Sequence, residues 1–269
     1  MKFAICNEVF EGWELDRVCK TVKAIGYDGL ELAPFTLAPL ITDVSPARRR
    51  ELRGQAADAG LSIIGLHWLL AKTTGLHLTS IDPGVQRRTT AYLIALAQAC
   101  HDLGGSIMVF GSPAQRSLLP GVSREAAVTA AVETFRATLP ALDDLGVTIC
   151  MEPLTRDETD FVITCDEALE LVDRLGHPRF VLHLDVKAMA SETVPMVELI
   201  RRHGATAGHF HANDPNRRGP GGGDVDFVPV FAALRQSGYN RWVSVEPFDY
   251  SPDPETVARE SLSYMRGCL

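Results

Sequence analysis

Four residues stand out by type and spacing. Glu152 closes the apolar run Val147–Glu152, Asp185 closes Phe180–Asp185, His211 closes Ala207–His211 and Glu246 closes Trp242–Glu246. Carboxylates and imidazoles ligate divalent cations and carry protons. Successive members lie ~30 residues apart, about one βα unit of a barrel whose eight units share ~250 residues. If each run is a strand, the four side chains stand on neighbouring strands at similar height. Three carboxylates and an imidazole converging in a dry space would repel, and a divalent cation removes the repulsion. One nitrogen among oxygens suits Mn²⁺ first; Mg²⁺ and Co²⁺ suit it too, and Zn²⁺ is compatible. Taken singly, each acid could equally cap a helix or form a salt bridge. Recurrence at four successive strand ends is what points to one metal site.

The elements that must position these residues follow from the apolar pattern. Candidate strands are Phe3–Cys6, Gly29–Ala33, Ser62–His67, Ser106–Phe110, Val147–Glu152, Phe180–Asp185, Ala207–His211 and Trp242–Glu246. Each is a continuous apolar run, as expected of parallel strands covered on both faces. Amphipathic stretches lie between them: Glu14–Ile25, a helix opened by Ser45-Pro46, about Gly84–Leu103, a helix capped by Ser123 and ending near Leu145, a helix opened by the capping box Thr164–Glu167, Val194–His203, Val228–Ser237 and Pro254–Arg266. Gly26, Gly60, Gly104, Gly146, Gly176, Gly204 and Gly238 follow helices, where a left-handed residue ends the last turn. Strict alternation gives a parallel α/β sheet. A doubly wound open sheet is the alternative. The count of eight, the length of 269 residues and the lack of a Gly-x-Gly-x-x-Gly turn favour a single (β/α)₈ TIM-barrel domain over residues 1–269.

The net charge of −8 lowers the expectation of a nucleic-acid or anionic-membrane partner, since both need surplus Lys and Arg. The six cysteines form no Cys-x-x-Cys pair and read as small buried hydrophobes of a reducing compartment. The N-terminal apolar stretch is too short for a signal peptide, and no run reaches membrane-span length. The expectation is a cytoplasmic protein.

Other groups fall near the same mouth. His183 and His209 precede Asp185 and His211 by two residues, so they face the same way one layer deeper. They either orient ligands or are hydrogen-bonded core histidines. His67 and Trp68 end strand three; the imidazole could bind a substrate hydroxyl and the indole pack on a sugar, or both could be lid packing. Lys187 points inward if strand six continues past Asp185. It would then pair with an anionic group on the substrate or with Asp185. Arg116, Arg217 and Lys187 together could form an anion pocket; solvent-facing loop charge is the plainer reading. Pro215–Gly223 reads either as a flexible cover or as a surface turn.

At these residues the chain resembles the xylose-isomerase-like superfamily of sugar isomerases and epimerases, in particular its ketose 3-epimerase branch. The segment Glu152-Pro153-Leu154-Thr155-Arg156-Asp157-Glu158, then Asp185, then His211 with Arg217 six residues on, then Glu246 match that group's pattern. The resemblance implies a metal held by Glu152, Asp185, His211 and Glu246, and substrate contacts from Glu158 and Arg217. Two positions depart from it. Ala188 stands where the epimerases carry a substrate-contacting histidine, a place Lys187 could fill, and Thr155 stands where they carry asparagine. The implied activity is proton transfer at the carbon beside a ketose carbonyl through an enediolate, with Glu152 and Glu246 as the acid–base pair. An inosose dehydratase-like lyase would use the same metal site. An endonuclease IV-like DNA-repair enzyme would need more histidines than Ala188 and the strand-four end Phe110-Gly111 supply. The expected partner is a small sugar or sugar acid, with exposed apolar helix residues allowing a homo-oligomer.

Overall fold

The computed structural model describes residues Met1–Leu269. Eight strands form a closed parallel barrel in sequence order: β1 Lys2–Cys6, β2 Gly29–Leu32, β3 Ser62–Leu66, β4 Ile107–Phe110, β5 Thr148–Met151, β6 Phe180–Asp185, β7 His209–Ala212 and β8 Trp242–Val245. The seam closes through β1 and β8, where Phe3 pairs with Val243 and Ala4 with Ser244. Every expected strand is present, most of them trimmed by a residue at one end or both. The open-sheet alternative is excluded by that seam.

The helices are α1 Leu15–Ile25, α2 Pro46–Asp58, α3 Pro83–Leu103, α4 Arg124–Leu145, α5 Cys165–Leu175, α6 Val186–Ala190, α7 Met196–His203, α8 Phe227–Gln236 and α9 Pro254–Gly267. No helix is long and apolar enough to cross a membrane. The caps form largely as the residue types require. Ser45 Oγ accepts from Arg48 N, Ser123 Oγ from Ala126 N and Thr164 Oγ1 from Glu167 N. The reciprocal arm of the α5 box is displaced by one residue, with Glu167 Oε2 accepting from Ile163 N at 2.8 Å. Gly204 departs from the other helix-terminal glycines. Its φ is −57°, and a Cβ there would run into Ser237 Oγ and the Ile200 carbonyl. Close approach of α7 and α8, rather than a left-handed turn, requires glycine there.

The α/β layer packs through apolar side chains on both faces of the strands. Phe135 on α4 stacks between Phe110 of β4 and Phe180 of β6, with ring centroids 5.2 and 4.6 Å away. All six cysteines are buried and unpaired, as expected of small hydrophobes. One element was not expected. Strand β6 stops at Asp185 and the short α6 begins at once, so Lys187 sits on a helical turn rather than on an extended strand.

Candidate active site

The register fixes how the four expected residues meet. Asp185 on β6 pairs directly with His211 on β7. Glu152 follows Met151, which pairs with Leu182, so it lies level with His183, one layer below Asp185. Glu246 follows β8, and its backbone N–H bonds the Ala212 carbonyl at 3.2 Å. All four side chains are buried. His211 is the hub: its Nδ1 lies 3.1 Å from Glu246 Oε2 and 3.9 Å from Glu152 Oε1. Ligand atoms of Glu152, His183, Asp185 and His211 fall within 4.8 Å of one another.

The donor chemistry fits a cation. His211 Nε2 lies 3.2 Å from Glu31 Oε2, whereas the buried Nδ1 makes no aligned hydrogen bond despite the carboxylates around it. If Nε2 carries the proton, Nδ1 presents a lone pair to Glu246 and Glu152. That is the carboxylate–histidine arrangement that prepares an imidazole to ligate a metal. Asp185 is further held by its surroundings, Oδ1 accepting from Ala188 N at 2.7 Å and Oδ2 from Asn213 Nδ2 at 2.6 Å. It therefore caps α6 as well, so the helix-cap reading of this acid and the ligand reading both have support.

Electrostatics report the crowding. Burial, then Glu246 and Asp185, push Glu152 well above the usual carboxylate range. Burial raises Asp185 to about 6 against the pull of Lys187. Glu246 goes the other way: burial opposes it, but His211 and His67 together hold it below the usual range. His211 is correspondingly raised well above an ordinary histidine, because Glu246 and Glu31 outweigh its burial. Without a metal the cluster relies on protons to balance its charge.

His183 and His209 lie one layer deeper, as the alternation requires. His209 Nε2 is 2.9 Å from Glu31 Oε2, which pulls Glu31 below its usual range against strong burial. His183 Nε2 is 3.8 Å from Glu152 Oε1, and neither of its nitrogens has a hydrogen-bond partner. His67 does not line the mouth. It is fully buried, with Nδ1 3.1 Å from Glu246 Oε1, while Trp68 Nε1 donates to the same oxygen at 3.0 Å. The imidazole thus orients Glu246, and the adjacent indole forms part of the wall. Trp68 reaches that place with φ of 52°, an uncommon backbone conformation for a bulky residue.

A cavity of about 590 Å³ is lined in part by Trp68, which bonds Glu246, and by Glu158, Lys187, Arg217 and Phe248; none of the four quartet residues lines it. Lys187 Nζ donates to Glu158 Oε1 at 2.5 Å and lies 4.9 Å from the Phe248 ring centroid; it does not pair with Asp185. Glu158 Oε2 accepts from Thr155 N and Oγ1. Arg217 stands exposed with φ of 73°, fixed by its carbonyl, which accepts from Phe248 N and Asp249 N. The anion pocket with Arg116 does not form. That guanidinium is fully buried and donates to the carbonyls of Phe110, Gly111, Glu152 and Val162. The segment Pro215–Gly223 is a surface turn, exposed at Pro215–Arg218, Gly221 and Gly222 and anchored at Gly219 and Pro220; a Cβ on Gly223 would run into the Asp214 carboxylate, and one on Gly221 into the Tyr264 side chain.

Three participants escaped the sequence reading. Glu31 sits in the middle of β2, and a charged residue inside Gly29-Leu30-Glu31-Leu32 was itself the signal. Glu8 follows β1 just as the other acids follow their strands. Asn213 stands two residues beyond His211, on the same face.

Known sugar epimerases resemble this chain in sequence and in fold. The D-psicose 3-epimerase of Ruminiclostridium cellulolyticum is 28% identical over 243 residues, spanning 88% of this chain and 80% of that protein. The L-ribulose 3-epimerase of Methylomonas sp. (strain DH-1) is 28% identical over 223 residues, spanning 83% and 74%. A crystal structure of D-psicose 3-epimerase with D-tagatose, from Clostridium cellulolyticum H10, matches with a TM-score of 0.88 and 23% identity over 100% of this chain and 99% of that one, a likeness of fold. Residues 19–268 match the family model described as xylose isomerase-like TIM barrel, so the match runs from within α1 to the end of α9, and the chain belongs to that family.

Proposed function

We propose that the chain is a divalent-metal-dependent sugar epimerase or isomerase that moves a proton at the carbon beside a ketose carbonyl through an enediolate. The observation that carries this reading is the convergence of Glu152 and Glu246, from β5 and β8, on the open Nδ1 of His211, with Trp68 joining Glu246 to a cavity that it helps to wall. Glu152, Asp185, His211 and Glu246 would hold the ion, Mn²⁺ being the best match to one nitrogen among carboxylate oxygens. When bound, such an ion supplies Lewis-acid stabilisation of the negative charge that builds on substrate oxygen.

The residues supply the rest. Glu152 and Glu246 flank the substrate position from β5 and β8, so one removes the proton and the other returns it. Return to the opposite face of the same carbon is epimerisation; return to the neighbouring carbon is isomerisation. The His67 and Trp68 bonds to Glu246 Oε1 fix its rotamer and leave Oε2 directed at the centre. Glu158 and Lys187, already joined, and Arg217 would read hydroxyls of the sugar, and the two aromatic faces would cover its carbon skeleton. The closing test is solvent-hydrogen exchange into a panel of ketoses. Glu152→Gln and Glu246→Gln should each lower exchange at least ~100-fold, the usual contribution of a general acid or base. Wild-type-like exchange in both variants rejects the assignment. Loss of water from the substrate would redirect it to the lyase alternative.

A further inference from the structure

Beside the quartet lies a second convergence, which shares Glu246 and its partner His67 with the proposed reaction and adds Cys6 and Glu8, two groups that reaction does not use. Glu8 follows β1, Cys6 is the last residue of β1, and His67 follows β3. Ligand atoms of Cys6, Glu8, His67 and Glu246 fall within 4.8 Å of one another, and all four residues are buried. Glu8 is only 6% exposed, yet neither of its carboxylate oxygens has a hydrogen-bond donor. His67 Nε2 lies 2.9 Å from Glu8 Oε2 but is not aligned with it, and it too lacks a partner. A buried carboxylate without a donor is costly, so the site calls for a positive ligand.

The geometry repeats that of the first site. There, His211 turns one nitrogen to a buried carboxylate, Glu31, and leaves the other open among acids. Here His67 turns Nδ1 to Glu246 Oε1 at 3.1 Å and leaves Nε2 open toward Glu8. If Nδ1–H is donated to Glu246, the lone pair on Nε2 faces the Glu8 carboxylate, and either a second proton on the imidazole, which Glu8 and Glu246 favour, or a bound cation balances that charge. Cys6 adds a soft donor. Its Sγ lies 3.9 Å from Glu31 Oε2 and 3.6 Å from Ser244 Oγ, and a bound metal would take it as thiolate.

We propose that Glu8, His67 Nε2 and Cys6 Sγ form a second cation site, selective for a borderline-soft divalent ion such as Zn²⁺ or Co²⁺. Glu246 connects the two sites, with Oε2 at the first and Oε1 orienting His67 at the second. One nitrogen, one sulfur and one carboxylate leave a fourth tetrahedral position open. The site is independent of the sugar reading except through Glu246 and His67, which orients it.

The test titrates metal-free, reduced protein with Co²⁺ and counts bound ions by elemental analysis alongside absorption spectroscopy. The wild type should bind two ions per chain and show a thiolate-to-cobalt charge-transfer band in the near ultraviolet. Glu8→Gln should lose one ion, and Cys6→Ser should lose the band. Asp185→Asn should keep the band while losing the other ion, which separates this site from the quartet. Circular dichroism confirms that each variant is folded, and the spectroscopic readout in Asp185→Asn does not depend on Glu8→Gln folding. A wild type that saturates at one ion with no charge-transfer band overturns the proposal and leaves Glu8 and His67 as a simple ion pair.

Discussion

Arg116 is the least surface-like charge in the molecule. It is fully buried, and burial lowers it only to about 10, so it stays charged at neutral pH. Its shortest bonds, 2.6 Å each, go to the carbonyls of Glu152 and Val162, the latter on a residue held at φ of 59°. It therefore clamps the backbone of a candidate ligand to an otherwise strained loop. Arg116→Leu should lower stability by at least about 2 kcal/mol, because buried carbonyls lose their donors at ~1–3 kcal/mol each. A urea melt measures this, and Arg116→Lys should not restore the midpoint, since an ammonium lacks the planar fork. At the cavity wall, Lys187→Met removes the partner of Glu158 while leaving all four quartet side chains in place, although Asp185 loses the pull of the Lys187 charge. The expected outcome is a KM raised about tenfold, equivalent to ~1.4 kcal/mol, with kcat changed less. Steady-state kinetics on any ketose that turns over reads this directly.

Elements place these residues through their ends. α6 starts on Asp185, and β8 ends one residue before Glu246, so fraying of either element would move a candidate ligand. The longer helices are secured by caps remote from the site. At α9, Asp253 accepts from Thr256 N at 2.9 Å and Thr256 Oγ1 at 2.8 Å, and these bonds lower its carboxyl below the ordinary 3.8. A carboxyl depressed in the folded state adds stability that is present above its ordinary value and lost as pH falls through the folded one. The gap in urea midpoint between the wild type and Asp253→Ala should thus be full at pH 6 and shrink below pH 3.8. A gap that persists unchanged in acid would mean that the hydrogen bonds do not depend on the charge.

The whole barrel is what brings β2 against β7 and β3 against β8. Glu31 of β2 reaches His209 and His211 of β7, and His67 after β3 reaches Glu246 after β8. An ion held by the proposed quartet would tie four strands together and would have no such site in the unfolded chain. Mn²⁺ at 100 times its Kd should stabilise the fold by about 2.7 kcal/mol. At ~2–4 °C per kcal/mol for a chain near this size, Tm should rise roughly 5–10 °C over the chelated protein. Differential scanning calorimetry with manganese or EDTA tests this, and Asp185→Asn should abolish most of the difference.

The chain alone specified the barrel, because eight continuous apolar runs, their spacing and their helix caps are local properties. It also marked the acids at the ends of β5, β6 and β8 and His211 in β7, since a strand's end is legible wherever apolar residues stop. It did not reveal which groups face each other across the axis. Glu31, Glu8 and Asn213 went unread, His67 turned out to orient Glu246, and Arg116 turned inward to backbone carbonyls. Those outcomes depend on strand register and barrel closure, which set distances between residues as far apart in the sequence as Cys6 and Ser244, 238 positions. Only the closed structure decides which carboxylate balances which imidazole, because charges in a dry interior interact through space rather than along the chain.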